Sequence, residues 1–182
     1  ADIVVTKQFK QPHQSVVQII SPNGPYVIYA TNTIDDVAGN NNSLADYNEL
    51  ISMDVDVQNV GSGNANSVNV NLSTTDPAVT VITNSAVISI INSSQILSIP
   101  TPFTFQVANN ITDQHVVVFT LDMTDNLSNT WSSTINVLLN APILDHTTFT
   151  INDVALGNGN GRLDAGETLD LVIDATNTGH AD

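Results

Sequence analysis

The chain contains no cysteine. A disulfide scaffold, a Cys-ligated zinc and a cysteine nucleophile are therefore excluded within these residues. Basic side chains are almost as scarce: three Lys and Arg stand against 18 Asp and Glu, for a formal net charge of −15. Nucleic-acid backbones and anionic membrane surfaces need clustered Lys and Arg, so neither is an expected partner. No apolar run approaches the roughly 20 residues of a helical membrane span, and no membrane insertion is expected. No basic, leucine-rich opening reads as a signal peptide, so the expectation is that any such segment has been removed. The straight-chain helix formers Lys, Arg, Glu and Gln are rare, and no segment carries a helical period.

What fills the chain instead is 23 Asn, 20 Thr and 15 Ser, together with 38 Val and Ile, in 182 residues. Asn, Thr and Ser supply turns and a neutral polar surface; Val and Ile supply a pleated core. With 41% apolar residues the chain can offset the entropy of ordering without disulfides or metals. Period-two alternation is clearest over Leu50 to Asn59, where Ile51, Met53, Val55 and Val57 alternate with Ser52, Asp54, Asp56 and Gln58. It recurs at Val68, Val70 and Leu72, at Phe103, Phe105 and Val107, over His115 to Met123, and over Trp131 to Leu139. Shorter β-rich pieces lie at Tyr26 to Thr31, Val79 to Ile82 and Val87 to Ile91. Turn signals such as Pro22-Asn23-Gly24-Pro25, Gly61-Ser62-Gly63-Asn64 and Thr75-Asp76-Pro77 separate them. Seven or eight strands at this spacing predict an all-β fold, an immunoglobulin-like or fibronectin-like β-sandwich over residues 25–141. The expected core is Met53, Val55, Val57, Val68, Val70, Phe103, Phe105, Val107, Val117, Phe119, Leu121 and Trp131.

An internal repeat sets the domain organisation. Ile34-Asp35-Asp36-Val37-Ala38-Gly39-Asn40 is matched by Ile151-Asn152-Asp153-Val154-Ala155-Leu156-Gly157-Asn158. Past one inserted residue the register holds at an offset of 118. Asp46 falls on Asp164, Glu49 on Glu167, Asp56 on Asp174, Asn59 on Asn177 and Gly61 on Gly179. Residues 142–182 thus read as the truncated start of a second sandwich. Residues 1–24 read as a strand region of a preceding domain or linker, and the whole as a segment of a longer chain. A 41-residue start is too small to fold alone, so its row Leu169, Leu171, Ile173 and Ala175 should need a cover from outside its own span. Strand pairing with a neighbouring chain, hence a homo-oligomer or filament, is the expected source.

One stretch carries chemistry. Gly157-Asn158-Gly159-Asn160-Gly161-Arg162-Leu163-Asp164-Ala165-Gly166-Glu167 alternates short oxygen-bearing side chains with glycine and closes on a carboxylate. A hard cation such as Ca²⁺ takes six to eight oxygens, and such a loop can curl to present them. The candidate ligands are Asp153, Asn158, Asn160, Asp164 and Glu167 with the Arg162 carbonyl, and in the first copy Asp36, Asn40, Asn42, Asp46 and Glu49. The competing reading is a tight turn whose carboxylates cap backbone amides. The first copy has Asn41, Ser43 and Asn48 where the second has Gly159, Gly161 and Gly166, which weakens its claim. No Gly-x-Ser-x-Gly elbow and no glycine-rich phosphate loop exist. His13, His115, His146 and His180 stand far apart and read as singly solvated or satisfied side chains.

The string from Ile151 to Leu171, followed by Asn177-Thr178-Gly179-His180-Ala181, resembles the start of Ig-like modules in large secreted proteins of Bacteroidetes-type bacteria. Such modules follow gingipain-type or subtilisin-like peptidase domains. The resemblance implies a secreted or cell-surface location and other domains of the same polypeptide as partners; the expected role is a non-catalytic spacer rigidified by calcium at the domain entrance. It maps the family's loop ligands onto Asp153, Asn160, Asp164 and Glu167 and places no catalytic residue here. The rival expectation is an adhesive or filament-forming surface protein whose terminal strands pair with neighbours.

Overall fold

The computed structural model describes residues 2–5, 13–16 and 23–181. Among them there is no helix, and the chain is all β. Two strands, β1 (Asp2–Val5) and β2 (His13–Val16), pair antiparallel. They supply the strands expected in residues 1–24; the rest of that region up to residue 22 lies outside the described residues. Ten strands follow: β3 (Val27–Asp35), β4 (Ala45–Asp46), β5 (Leu50–Asn59), β6 (Ala65–Ser73), β7 (Val79–Thr83), β8 (Ser85–Ile91), β9 (Ile96–Ser98), β10 (Phe103–Val107), β11 (His115–Thr124) and β12 (Thr130–Asn140). A last hairpin is built from β13 (Leu144–Asn152) and β14 (Asp170–Asn177).

Residues 25–141 form a β-sandwich of two five-stranded sheets. The first has the order β3-β5-β10-β7, and β9 pairs with β5 beyond the end of β10. The second has the order β4-β12-β11-β6-β8. All pairings are antiparallel except β4 on β12, which is parallel. Two strands exceed the seven or eight read from alternation. They are β4 and β9, two and three residues long, too short to carry a period.

Period-two alternation decides which face of each strand is covered. Along β5, Ile51, Met53, Val55, Val57 and Asn59 are buried while the intervening residues reach solvent. Every residue of the expected core is buried, Trp131 included. The two inner faces meet through Phe105 of β10 and Phe119 of β11, whose ring centroids are 5.1 Å apart and tilted by 46°. Burying one such phenylalanine contributes about 1.5–3 kcal/mol.

Chain direction places the candidate loop. Strand β3 enters at Pro25 and runs away from it, and β5 returns to it, so the 36–49 connection lies at the far end. Strand β12 also finishes there, with Leu139 and Asn140 beside Ala45 and Asp46. The first loop therefore sits at the exit of the sandwich, next to Pro142, and not at the domain entrance as the expected calcium role had it. Sequence order suggested the entrance, but a pairing across 94 residues moves the loop to the exit.

Candidate functional site

Loop 36–49 is a knot tied around buried carboxylates. The Asp36 side chain, 1% exposed, accepts the Asn42 backbone N–H at 2.8 Å and the Ser43 N–H at 3.0 Å. Glu49 accepts the Asn40 N–H at 3.0 Å through Oε1 and the Asp46 N–H at 3.2 Å through Oε2. Two side-chain amides, from Asn40 and Asn42, converge on Asp46 Oδ2 at 3.0 and 2.8 Å. Asn40 and Asn42 also use their Oδ1 atoms to accept the backbone N–H two residues on, at 3.1 and 2.8 Å. These Asx turns explain why asparagine occupies alternate positions: only a short side chain with an oxygen reaches its own backbone in this way.

The second loop repeats the knot except for one bond, the Asp46 N–H to Glu49 Oε2, whose counterpart at Glu167 Oε2 is missing. Asp153, also 1% exposed, accepts from Asn160 N at 3.0 Å and Gly161 N at 3.2 Å. Glu167 accepts from Asn158 N at 2.9 Å. The amides of Asn158 and Asn160 converge on Asp164 Oδ2 at 3.0 and 2.8 Å. Asn160 N and Arg162 N are held by the Oδ1 atoms of Asn158 and Asn160 at 3.0 and 2.8 Å. Arg162 thus takes part through its backbone N–H, not through the carbonyl expected as a ligand. Two backbone bonds complete the set, Gly39 N to Asp36 O with Glu49 N to Asp46 O, and Gly157 N to Asp153 O with Glu167 N to Asp164 O. The residue inserted in the second copy only widens the Gly157 turn.

The left-handed backbone positions also coincide. Asn41, Ser43 and Asn48 have φ of 60°, 66° and 60°; Gly159, Gly161 and Gly166 have 73°, 74° and 85°. The loss of glycine in the first loop, read from the sequence as degradation, leaves the conformation intact. An L-residue there costs about 1–2 kcal/mol, and asparagine at two of the three positions lessens that cost.

All ten candidate side chains are thus brought into their two loops. Their oxygens form a hard, carboxylate-rich donor set. Glu167 Oε2 is buried without a hydrogen-bond partner, which suits a cation. Against that, among the described residues no group of three or more His, Cys, Asp or Glu converges to hold a metal ion. Amide and backbone N–H groups occupy the carboxylate oxygens instead. The amides of Asn160 and Asn158 hold the Asp164 carboxyl below the usual carboxylate range, so it is ionised at neutral pH.

Three further features lie outside the candidate metal ligands. The first is a clamp at the sandwich entry. Asn59 Oδ1 accepts Tyr26 N and Gly61 N at 3.0 Å each, and its amide donates to the carbonyls of Gly63 at 2.7 Å and Ile91 at 3.1 Å. Asn177 does the same at the second entry, accepting Ile143 N and Gly179 N at 3.0 Å and donating to Ala181 O at 2.6 Å. A Cβ on Gly61 would overlap the backbone of Gly24, Pro25 and Tyr26, and one on Gly179 that of Ala141, Pro142 and Ile143. The repeated Asn-x-Gly spacing was the available signal.

The second feature joins the first loop to the second entry. Asn140 donates its amide to Asp46 Oδ1 at 3.1 Å and its carbonyl accepts Tyr47 N at 2.8 Å. Gln114 donates to Asn140 Oδ1 at 2.7 Å. One residue on, Ala141 N donates to Asp113 Oδ1 at 3.0 Å, and Asp113 Oδ2 lies 2.6 Å from His180 Nδ1. The Ala141 N–H and then the His180 ring hold Asp113 below the usual carboxylate range.

The third is a shallow cleft lined by Asp76, Pro77, Ile111 and His115, in which His115 Nε2 is 2.8 Å from Asp76 Oδ2. The Ala78 N–H, with His115 beside it, holds Asp76 below its ordinary value. Two of the four histidines are therefore satisfied by aspartate, and His146 stacks on Phe149 at 6.2 Å. The side chain of His13 lies outside the described residues. No family model matches the chain, and neither does any curated protein.

Proposed function

We propose that this chain is a non-catalytic structural segment: a β-sandwich module of immunoglobulin-like type followed by the start of another, serving as a spacer or accessory region of a secreted or cell-surface bacterial protein beside a peptidase domain. The observation that carries the reading is the duplicated knot, whose first copy is joined through Asn140 to the exit of the sandwich. A loop spent on Asx turns and backbone caps braces a junction. The sequence resemblance supports the location and the neighbouring peptidase.

Ca²⁺ belongs to the proposal. Asp36, Asn40, Asn42, Asp46 and Glu49 would hold one ion, and Asp153, Asn158, Asn160, Asp164 and Glu167 with the Arg162 carbonyl a second. When bound, the ion neutralises three crowded carboxylates per loop. Without it, the N–H groups of the loop do part of that work. Calorimetry of the whole protein in millimolar Ca²⁺ and in chelator tests the point. The expected outcome is a Tm several degrees higher with Ca²⁺, since a ligand of the folded state stabilises it by mass action. Asp36→Asn and Asp153→Asn should each remove part of that gain. An unchanged Tm in both variants and in the parent would reduce the loops to turns.

A second reading, an adhesive or filament-forming surface protein, is favoured by one observation: β14 and most of β13 are exposed. Sedimentation at rising concentration separates the two, with a monomer expected for the spacer.

A further inference from the structure

The β13–β14 hairpin is the β3–β5 hairpin without its neighbours. The registers correspond pair for pair: Asn32 on Val55 and Phe149 on Ile173, Ile34 on Met53 and Ile151 on Leu171. Both first strands carry an irregularity at the same place, between Tyr29 and Thr31 and between His146 and Thr148. In the sandwich the second edge of β5 is occupied, by β10 along Leu50–Met53 and by β9 along Asp56–Gln58. Phe103 and Phe105 of β10 stand opposite Met53 and Ile51. Among the described residues β14 pairs only with β13. Leu171 and Ile173, at the positions of the fully covered Met53 and Val55, are 53% and 56% exposed.

We propose that the free edge of β14, with the apolar face beside it, is an acceptor for one extended strand of β10 type: uncharged, alternating apolar side chains with hydroxyl or amide ones. Charge selects this occupant over a second copy of the chain. Asp145, Asp170 and Asp174 flank the sheet, and Arg162 is the one Lys or Arg among the described residues. Another molecule of net charge −15 approaches this acidic surface against Coulomb repulsion. Strand β10, Phe-Thr-Phe-Gln-Val, brings no charge. The acidic row of β5 also accepts hydroxyl donors from its neighbour, since Ser98 Oγ of β9 donates to Asp56 Oδ1 at 2.5 Å. Asp174 occupies the place of Asp56 on β14. Main-chain bonds along the edge supply affinity, and the alternate Phe side chains, seated on Leu169 and Leu171, supply register. The inference stands apart from the bracing role and from calcium.

The probe is a capped peptide with the sequence of residues 101–109, added to the whole protein in chelator, with backbone hydrogen exchange read by mass spectrometry. Expected are at least tenfold slower exchange across 169–173, no protection from a peptide of the same composition with the alternation scrambled, and no protection in Leu171→Asp. That side chain is exposed in the free protein, so the variant keeps the sandwich, which unchanged exchange along β5 verifies. Equal protection by the scrambled peptide, no protection at millimolar peptide, or a peptide-free dimer that already protects β14 would each overturn the proposal. Because chelator is present throughout, a failed calcium reading leaves this result interpretable.

Discussion

The hairpins β3–β5 and β13–β14 share one backbone plan and live in different surroundings. Both have a proline at the entry, an irregularity near the same pair, a knotted loop at the far end and an Asn-x-Gly clamp on the return. The first has its inner row sealed by a second sheet; the second presents the corresponding row to solvent. Local structure here is written in side chains that bond their own neighbourhood. Burial is a property of what the rest of the chain brings. The pair is therefore an internal experiment that separates the two contributions.

Truncating matched residues of the two rows gives the largest contrast. Met53→Ala should destabilise the sandwich by about 2–5 kcal/mol, from lost transfer energy plus a cavity. Leu171→Ala, at the matching position, should lie within about 0.5 kcal/mol, as exposed substitutions do. Urea unfolding followed by Trp131 fluorescence reads both. A large effect of Leu171→Ala would mean that the second row is covered in solution, and the comparison would fail.

The clamps should differ less. Asn59→Ala orphans buried N–H and carbonyl groups, at about 1–3 kcal/mol for each one left unpaired. Asn177→Ala frees two N–H groups on residues that reach solvent and the carbonyl of the buried Ala181, and should cost about 1 kcal/mol, which the same urea assay resolves. Similar costs for the two would show that the clamp works through loop geometry alone.

The smallest effect is the pH dependence that Asp113 contributes where the sandwich meets the second hairpin. Asp113 has a depressed carboxyl in the folded chain, so its contribution is present above the ordinary range near about 4 and is lost as pH falls through the lower folded value. Acid should release His180 and raise exchange along β14 while β5 stays protected. Asp113→Asn should abolish that acid step without altering β5. If β5 and β14 loosen together on acidification, the junction is not where the sensitivity lies.

Much of this was legible from residues. Alternation over Leu50 to Asn59 and at Phe103, Phe105 and Val107 gave the core, because burial of one face per strand is a local requirement. The repeat gave both loops, since Asp, Asn and Glu recur at fixed offsets. Three things were hidden for physical reasons. Positive φ at Asn41, Ser43 and Asn48 carries no signal of its own, because glycine is the residue that marks left-handed backbone. The Asp113–His180 contact joins residues 67 apart with no period to announce it. The loop's place at the exit depends on the parallel pairing of β4 with β12, a long-range event that two residues of strand cannot signal.

Entry at Pro25 and exit at Asn140 lie at opposite ends of strands about 30 Å long, at roughly 3.3 Å per residue. Tension applied along the polypeptide at these two points therefore runs parallel to the strands and across their hydrogen bonds. The ladders are loaded together in shear and cannot be opened one rung at a time. A module with both ends at one pole would unzip under far less force. Were such modules strung in series, tension would pass from one to the next beside the knotted loop, where Asn140 meets Asp46.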